Sequence, residues 1–126
     1  MKKIINTSKA PAPIGPYNQA VLSNNTLYIS GQIPLDPSNG QLIKDDIKKE
    51  TLQCMKNLEA ILKAAHMSFK DVVKATIFVK DMNRFSDINE VYGSFFNPEA
   101  APARETVEVS NLPKFVNVEI SMIAVR

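Results

Sequence analysis

Three stretches of this chain alternate their side chains with a period of two, and two others repeat apolar residues every three to four positions. That change of period constrains the fold more than any other feature. Val72 to Lys80 is β-branched and alternating, with Val73, Ala75, Ile77 and Val79 on one face and Val72, Lys74, Thr76 and Phe78 on the other. Arg104 to Val109 sets Glu105, Val107 and Val109 opposite Arg104, Thr106 and Glu108. Val116 to Val125 sets Val118, Ile120, Met122 and Ala124 opposite Asn117, Glu119 and Ser121. Successive side chains of a strand leave opposite faces of the pleat, so these stretches predict half-buried strands. Gln19–Leu22 and Thr26–Gln32 flank Ser23-Asn24-Asn25 and predict a hairpin, with Leu27, Ile29 and Gly31 facing away from Tyr28 and Ser30.

The helical period lies between these strands. Ile47, Cys54, Met55, Leu58, Ile61, Leu62 and Ala65 form one stripe on a long helix spanning about Asp46 to Ala65, and Asp45 and Asp46 suit its amino end, where free backbone donors favour carboxylates. Ser68-Phe69-Lys70-Asp71 matches a short capping box. Phe85, Ile88, Val91, Tyr92 and Phe95 predict a second helix from about Arg84 to Phe96, stopped by Asn97-Pro98. The order strand, strand, helix, strand, helix, strand, strand describes an α+β sandwich with the helices layered on one sheet face.

With 126 residues, 44% of them hydrophobic, the chain suffices for one domain, residues 1–126, with a real core. The net charge of +2 is scattered, which argues against a nucleic-acid or membrane-surface footprint. One cysteine, Cys54, and one histidine, His66, exclude an internal disulfide and a structural Cys/His zinc site, so no metal is expected. Cys54 lies on the apolar stripe and reads as an inert core residue, while His66 lies near a helix end and suits its carboxyl-terminal dipole. Catalysis would fall to Arg, Glu, Tyr, hydroxyls and backbone groups. No apolar run is long enough for a membrane span, and Met1 to Lys9 lacks a secretory h-region, so a cytoplasmic protein is expected.

Several residues stand out against that background. Arg104 follows Ala100-Ala101-Pro102-Ala103, where a proline-bearing loop delivers the chain into a strand. Its planar fork suits a carboxylate, although an arginine at a strand start is more often a solvated charge or an ion-pair partner. Glu119 is a carboxylate in an otherwise apolar strand, either exposed at an edge or buried with a shifted pKa. Ser30-Gly31 ends a strand, where a glycine admits a ligand's close approach or marks a bulge. Tyr17, in the proline-rich Ala-Pro-Ala-Pro-Ile-Gly-Pro-Tyr segment, either covers a pocket or packs on the core.

Five separated motifs occur in order: Ala-Pro-Ile-Gly-Pro-Tyr at 12–17, Ser-Gly-Gln-Ile-Pro at 30–34, Pro-Ala-Arg at 102–104, Leu112-Pro113-Lys114, and Val118-Glu119-Ile120. Together they resemble the RidA/YjgF family along the whole chain, as do Asp71-Val72-Val73-Lys74, Phe78-Val79-Lys80-Asp81, Asn89 and Tyr92. The resemblance implies a chorismate-mutase-like two-layer sandwich with a mixed sheet, assembled as a homotrimer with active sites at the subunit interfaces. It implies hydrolysis of 2-imino acids such as 2-iminobutanoate and 2-iminopropanoate to 2-keto acids and ammonia, without cofactor or metal. Arg104 would hold the substrate carboxylate and Glu119 would place or polarise the attacking water. Tyr17, Ser30, Gly31, Asn89 and Thr106 would line the substrate.

Relatives often carry cysteine at the position of Thr106, and usually a small residue at that of Glu105. Strand alternation sends Glu105 away from Arg104 and Thr106. Antiparallel pairing of the last two strands would bring Arg104, Thr106 and Glu119 towards one surface. Competing readings are a metabolite-binding regulatory or chaperone-like module, and an endoribonuclease or translation inhibitor. The latter is disfavoured because the chain shows no basic stripe interleaved with aromatics.

Overall fold

The computed structural model of the chain describes residues 2–126. Among these residues run β1 (Lys2–Ile5), β2 (Ala20–Ser23), β3 (Thr26–Gln32), β4 (Leu35–Asp36), β5 (Gln41–Leu42), α1 (Ile47–Ala64), β6 (Val72–Val79), α2 (Phe85–Gly93), β7 (Ala103–Glu108) and β8 (Val118–Val125). Six strands form one mixed sheet in the order β1-β2-β3-β8-β6-β7, and β4 and β5 make a separate small hairpin. The β2–β3 hairpin, both helices and the three alternating strands occur where the periodicities predict them. β1, β4 and β5 come without that signal.

α1 begins on Asp46, whose side chain accepts from the backbone N–H groups of Lys48 and Lys49 at 3.1 and 3.2 Å. This satisfies two of the donors that a helix start leaves unpaired. Past the Ala65 cap the chain leaves the helix direction at His66, whose φ of 58° is left-handed. The capping box at Ser68 also forms, with Asp71 returning to the Ser68 N–H. α2 is shorter than the apolar spacing suggests: it stops at Gly93, leaving Phe95 and Phe96 beyond it to cluster with Phe69 and Tyr92.

Both helices pack on one face of the sheet. Cys54, Met55, Leu58, Ile61 and Leu62 of α1 and Ile88 of α2 meet a buried row made of Leu27 and Ile29, Val118, Ile120 and Met122, and Ala75, Ile77 and Val79. Each fully buried aliphatic side chain contributes about 1.5–3 kcal/mol from burial, so this row dominates the stability of the domain. The other face is open, with Tyr28, Val73 and Val107 exposed on it.

Two sequence expectations are corrected here. The first concerns faces. A register shift between Val72 and Lys74 makes Val72, not Val73, continue the buried row of Ala75, Ile77 and Val79. A second shift, between Ile29 and Gln32, buries Gln32 and turns Gly31 off the row of Leu27 and Ile29.

The second concerns pairing. β7 and β8 do not pair; β7 lies parallel to β6, and β6 separates it from β8. Parallel pairing needs a long crossover, and the α2 segment between β6 and β7 supplies one. β8 is central, flanked by β3 and β6.

Candidate active site

The residues singled out in the sequence gather into two groups. The first lies where β3 meets β8. Glu119 points to the open face, paired with Phe78, and the bulge in β3 brings Gly31 beneath it. A Cβ built on Gly31 would overlap the Glu119 side chain, coming 2.7 Å from its Cδ, so only glycine admits the carboxylate here. Ser30-Gly31 is thus both a bulge and a point of close approach. Ile14, Tyr17, Ser30, Ile33 and Pro113 complete a cavity of about 250 Å³ around Glu119.

Those walls are largely apolar, and burial pushes the Glu119 carboxyl above its ordinary range. Ser30 Oγ donates to the Asn18 carbonyl at 2.6 Å, leaving its lone pairs for a ligand's donor. Tyr17 is half exposed, and its hydroxyl accepts from the Ile14 N–H at 3.3 Å. The proline-rich segment carrying Tyr17 is held by buried Gln19. Its Nε2 donates to the carbonyls of Thr7, Ala10 and Pro11, and its Oε1 accepts from the Thr7 N–H at 2.7 Å.

The second group lies between β7 and α2. Arg104 Nη1 donates to Asn89 Oδ1 at 2.7 Å, and the guanidinium carbon lies 5.0 Å from the Tyr92 ring centre and 5.5 Å from that of Phe85. Stacking and the hydrogen bond hold the fork in one orientation. Asn89 therefore positions Arg104, a role the sequence reading did not give it. Thr106 Oγ1 and Tyr92 Oη are both buried without an intramolecular hydrogen-bond partner. Burial raises the Tyr92 phenol pKa, and the Arg104 charge opposes that shift. Glu105 leaves the opposite face, as alternation requires, to bind Thr76 Oγ1 at 2.7 Å and Lys74 Nζ at 3.0 Å. The hydrogen bond from Thr76, followed by that from Lys74, lowers its pKa.

Within one chain these two groups do not meet. Arg104 pairs with Ala75 and Glu119 with Phe78. Residues 75 and 78 of one strand project from opposite faces, so Arg104, Asn89 and Thr106 stand on the helix side while Glu119 and Gly31 stand on the open side. The expected convergence of Arg104, Thr106 and Glu119 on one surface is overturned, because it rested on the β7–β8 pairing. The wall residues that were not singled out, Ile14, Ile33 and Pro113, all sit inside the quoted motifs. Phe85 was visible only as an apolar position of a helix, and Tyr92 as that and as part of the family resemblance, with no role beside Arg104.

A larger cavity of about 730 Å³ borders the amino-terminal segment and the β4–β5 hairpin, but no titratable side chain lines it. Among the described residues no group of three or more His, Cys, Asp or Glu side chains could hold a metal ion. Likewise no helix there is long and apolar enough to cross a membrane.

An α+β domain with an arginine and a glutamate on opposite faces of its sheet defines the class, and comparison with known proteins supplies the family. The Endoribonuclease L-PSP family model matches residues 7–126, and the chain belongs to that family, the RidA/YjgF group its motifs resemble. A RutC family protein of Pyrococcus horikoshii is 53% identical over 98% of each chain. The protein named 2-iminobutanoate/2-iminopropanoate deaminase in Mus musculus is 49% identical, covering all of this chain and 93% of its own. Among solved structures, a Rid family protein from Yersinia pestis superposes with a TM-score of 0.97 at 46% identity, each chain fully covered.

Proposed function

We propose that this protein hydrolyses small 2-imino acids, 2-iminobutanoate and 2-iminopropanoate among them, to 2-keto acids and ammonia, at sites built from two chains of a homotrimer. The observation that carries the reading is the pairing of chemistries: a fixed, stacked guanidinium with buried hydroxyls beside it, and a carboxyl of raised pKa over a glycine. Relatives with the deaminase name at 45–49% identity support it. A shared site is supported by the opposite faces of Arg104 and Glu119 and by the exposed apolar side chains on the open face.

In this mechanism the Arg104 fork binds the substrate carboxylate through two charge-assisted hydrogen bonds, with Thr106 Oγ1 available as a further donor. That contact fixes the imine carbon above the Glu119 pocket of the neighbouring chain. A protonated imine is already electrophilic, so positioning and a base suffice. Glu119, as carboxylate, takes a proton from water as its oxygen bonds to the imine carbon, giving a tetrahedral carbinolamine. The proton returns to the amine nitrogen, the C–N bond breaks, and the carbinolamine hydroxyl gives its proton to the restored Glu119 carboxylate as the keto group forms; the departing ammonia then takes that proton and leaves Glu119 ionised. Ammonia and the 2-keto acid leave. A carboxyl with raised pKa is a stronger base than an ordinary one and holds the proton better for its return. No cofactor enters these steps.

The test couples a threonine dehydratase to the purified protein and follows decay of the imine. Wild type should exceed the spontaneous rate, and Arg104→Ala should lower kcat/KM by about 100-fold, the scale of losing a charge-assisted anchor. Equal rates for the two proteins would overturn the proposal. Cleavage of RNA that survives Arg104→Ala and falls steeply with salt would instead favour the activity in the family's description.

A further inference from the structure

Glu50 has no part in the chemistry above. It lies in the first turn of α1, yet it is only 1% exposed. Asn117 Nδ2 donates to Glu50 Oε1 at 2.9 Å, while Oε2 is buried and accepts no hydrogen bond within the chain. A buried carboxylate oxygen without a donor is costly, and such groups in native proteins call for a reason. Glu50 lines a cavity of about 350 Å³ whose other walls are Leu42, Ile43, Lys44, Asp45, Lys114, Phe115, Val116 and Asn117. By burial, Glu50 and Val116 form its floor and Lys44, Asp45, Lys114 and Phe115 its rim.

The rim sets the two ammonium groups of Lys44 and Lys114 against the single carboxylate of Asp45, leaving it net positive above the acidic floor. Lys44 and Lys114 make no ion pair within 4 Å among the described residues. Phe115 offers 78% of its surface to solvent and, like Lys114, is held at positive φ, 58° and 54°, a region bulky residues rarely occupy. An acid at the bottom, with an aromatic ring and a net positive rim at the mouth, matches a ligand with one positive and one negative end.

We infer that the cavity over Glu50 is a second small-molecule site, separate from the Arg104 and Glu119 halves, that binds an amino-acid zwitterion with its ammonium on Glu50 and its carboxylate towards Lys44 and Lys114. The loop Leu112–Phe115 lies between this site and the Glu119 pocket, since Pro113 lines one and Lys114 and Phe115 line the other. The site does not depend on the deaminase reading.

The experiment uses the full chain carrying Arg104→Ala, so that no carboxylate binds at the other anchor. Backbone amide NMR shifts are followed while 2-aminobutanoate, propylamine or butanoate is added. The expected result is saturable shifts at residues 114–117 with 2-aminobutanoate, weaker binding of propylamine and none of butanoate. Glu50→Gln should weaken 2-aminobutanoate by about tenfold or more with an unchanged circular dichroism spectrum. If Glu50→Gln fails to fold, the pair Lys44→Ala and Lys114→Ala serves: it should reduce 2-aminobutanoate to the affinity of propylamine while leaving propylamine unaffected. Absence of saturable shifts, shifts that persist in Glu50→Gln, equal binding of butanoate, or an unchanged preference for 2-aminobutanoate over propylamine in the lysine pair would overturn the inference.

Discussion

Gly31 and Glu119 show how much of this site depends on single atoms. The glycine leaves room for the carboxylate, and a methyl group there would overlap it. Gly31→Ala should therefore displace Glu119 and lower kcat by about tenfold or more, because misplacing a base by an ångström is costly. Its thermal midpoint should move far less than its rate, since the displaced carboxyl swings towards the open side of the sheet. Steady-state kinetics beside a melting curve separates the two effects.

Glu119 itself carries a pH signature. Burial raises its folded-state pKa above the ordinary value near 4.5, so the folded state binds its proton more tightly than the unfolded chain does. The stability tied to that proton is fully present below the unfolded pKa and is lost as pH rises through the folded one. Glu119→Gln should thus melt higher than wild type at about pH 7 to 8 and show no such advantage near about pH 4. Melting curves at the two pH values check the sign, and the same variant should lose hydrolysis at both. That glutamate could be singled out in the sequence as a charge in an otherwise apolar strand, and Arg104 as a guanidinium where a proline-bearing loop enters a strand. The orphaned Glu50 could not, because one glutamate in a helix's first turn reads as an ordinary dipole partner.

At the scale of elements, period told strand from helix wherever a segment was long enough to repeat. β1 escaped because only Ile5 among its four residues is buried, and β4 and β5 because two residues cannot display a period. The faces of β6 and β3 were misjudged where bulges add a residue, since one extra residue inverts alternation. The amino-terminal proline segment has no ladder of its own and hangs on Gln19 through four hydrogen bonds. Gln19→Ala should free the segment, raising amide exchange at residues 7–14 and the KM for imine through Tyr17. Leaving buried carbonyls unpaired should cost about 1–3 kcal/mol in global stability by denaturant titration.

For the whole molecule, pairing between distant strands was the least legible level. Nothing local in β7 states that it lies parallel to β6, because that choice depends on where α2 packs. The pairing decides which side of the sheet Arg104 leaves, and the proposed function then makes each chain the holder of two half-sites. Mixing Arg104→Ala chains with Glu119→Gln chains should restore activity that neither possesses, to about a quarter of wild type if the two assemble at random into rings in which each site joins neighbours. Unfolding and refolding the two together, followed by the imine assay, measures this. Addition of the two residual rates and nothing more would exclude a shared site.

If the proposed site is shared between chains, the opposite orientation of Arg104 and Glu119 would also set how the protein behaves when it is scarce. A hydrolase whose clamp and base come from separate chains has an output that falls more steeply than linearly as the chain is diluted towards its dissociation constant. In that case a substrate bound at the junction would tie the chains together and slow that loss, so the proposed imine substrate would itself help keep the protein assembled.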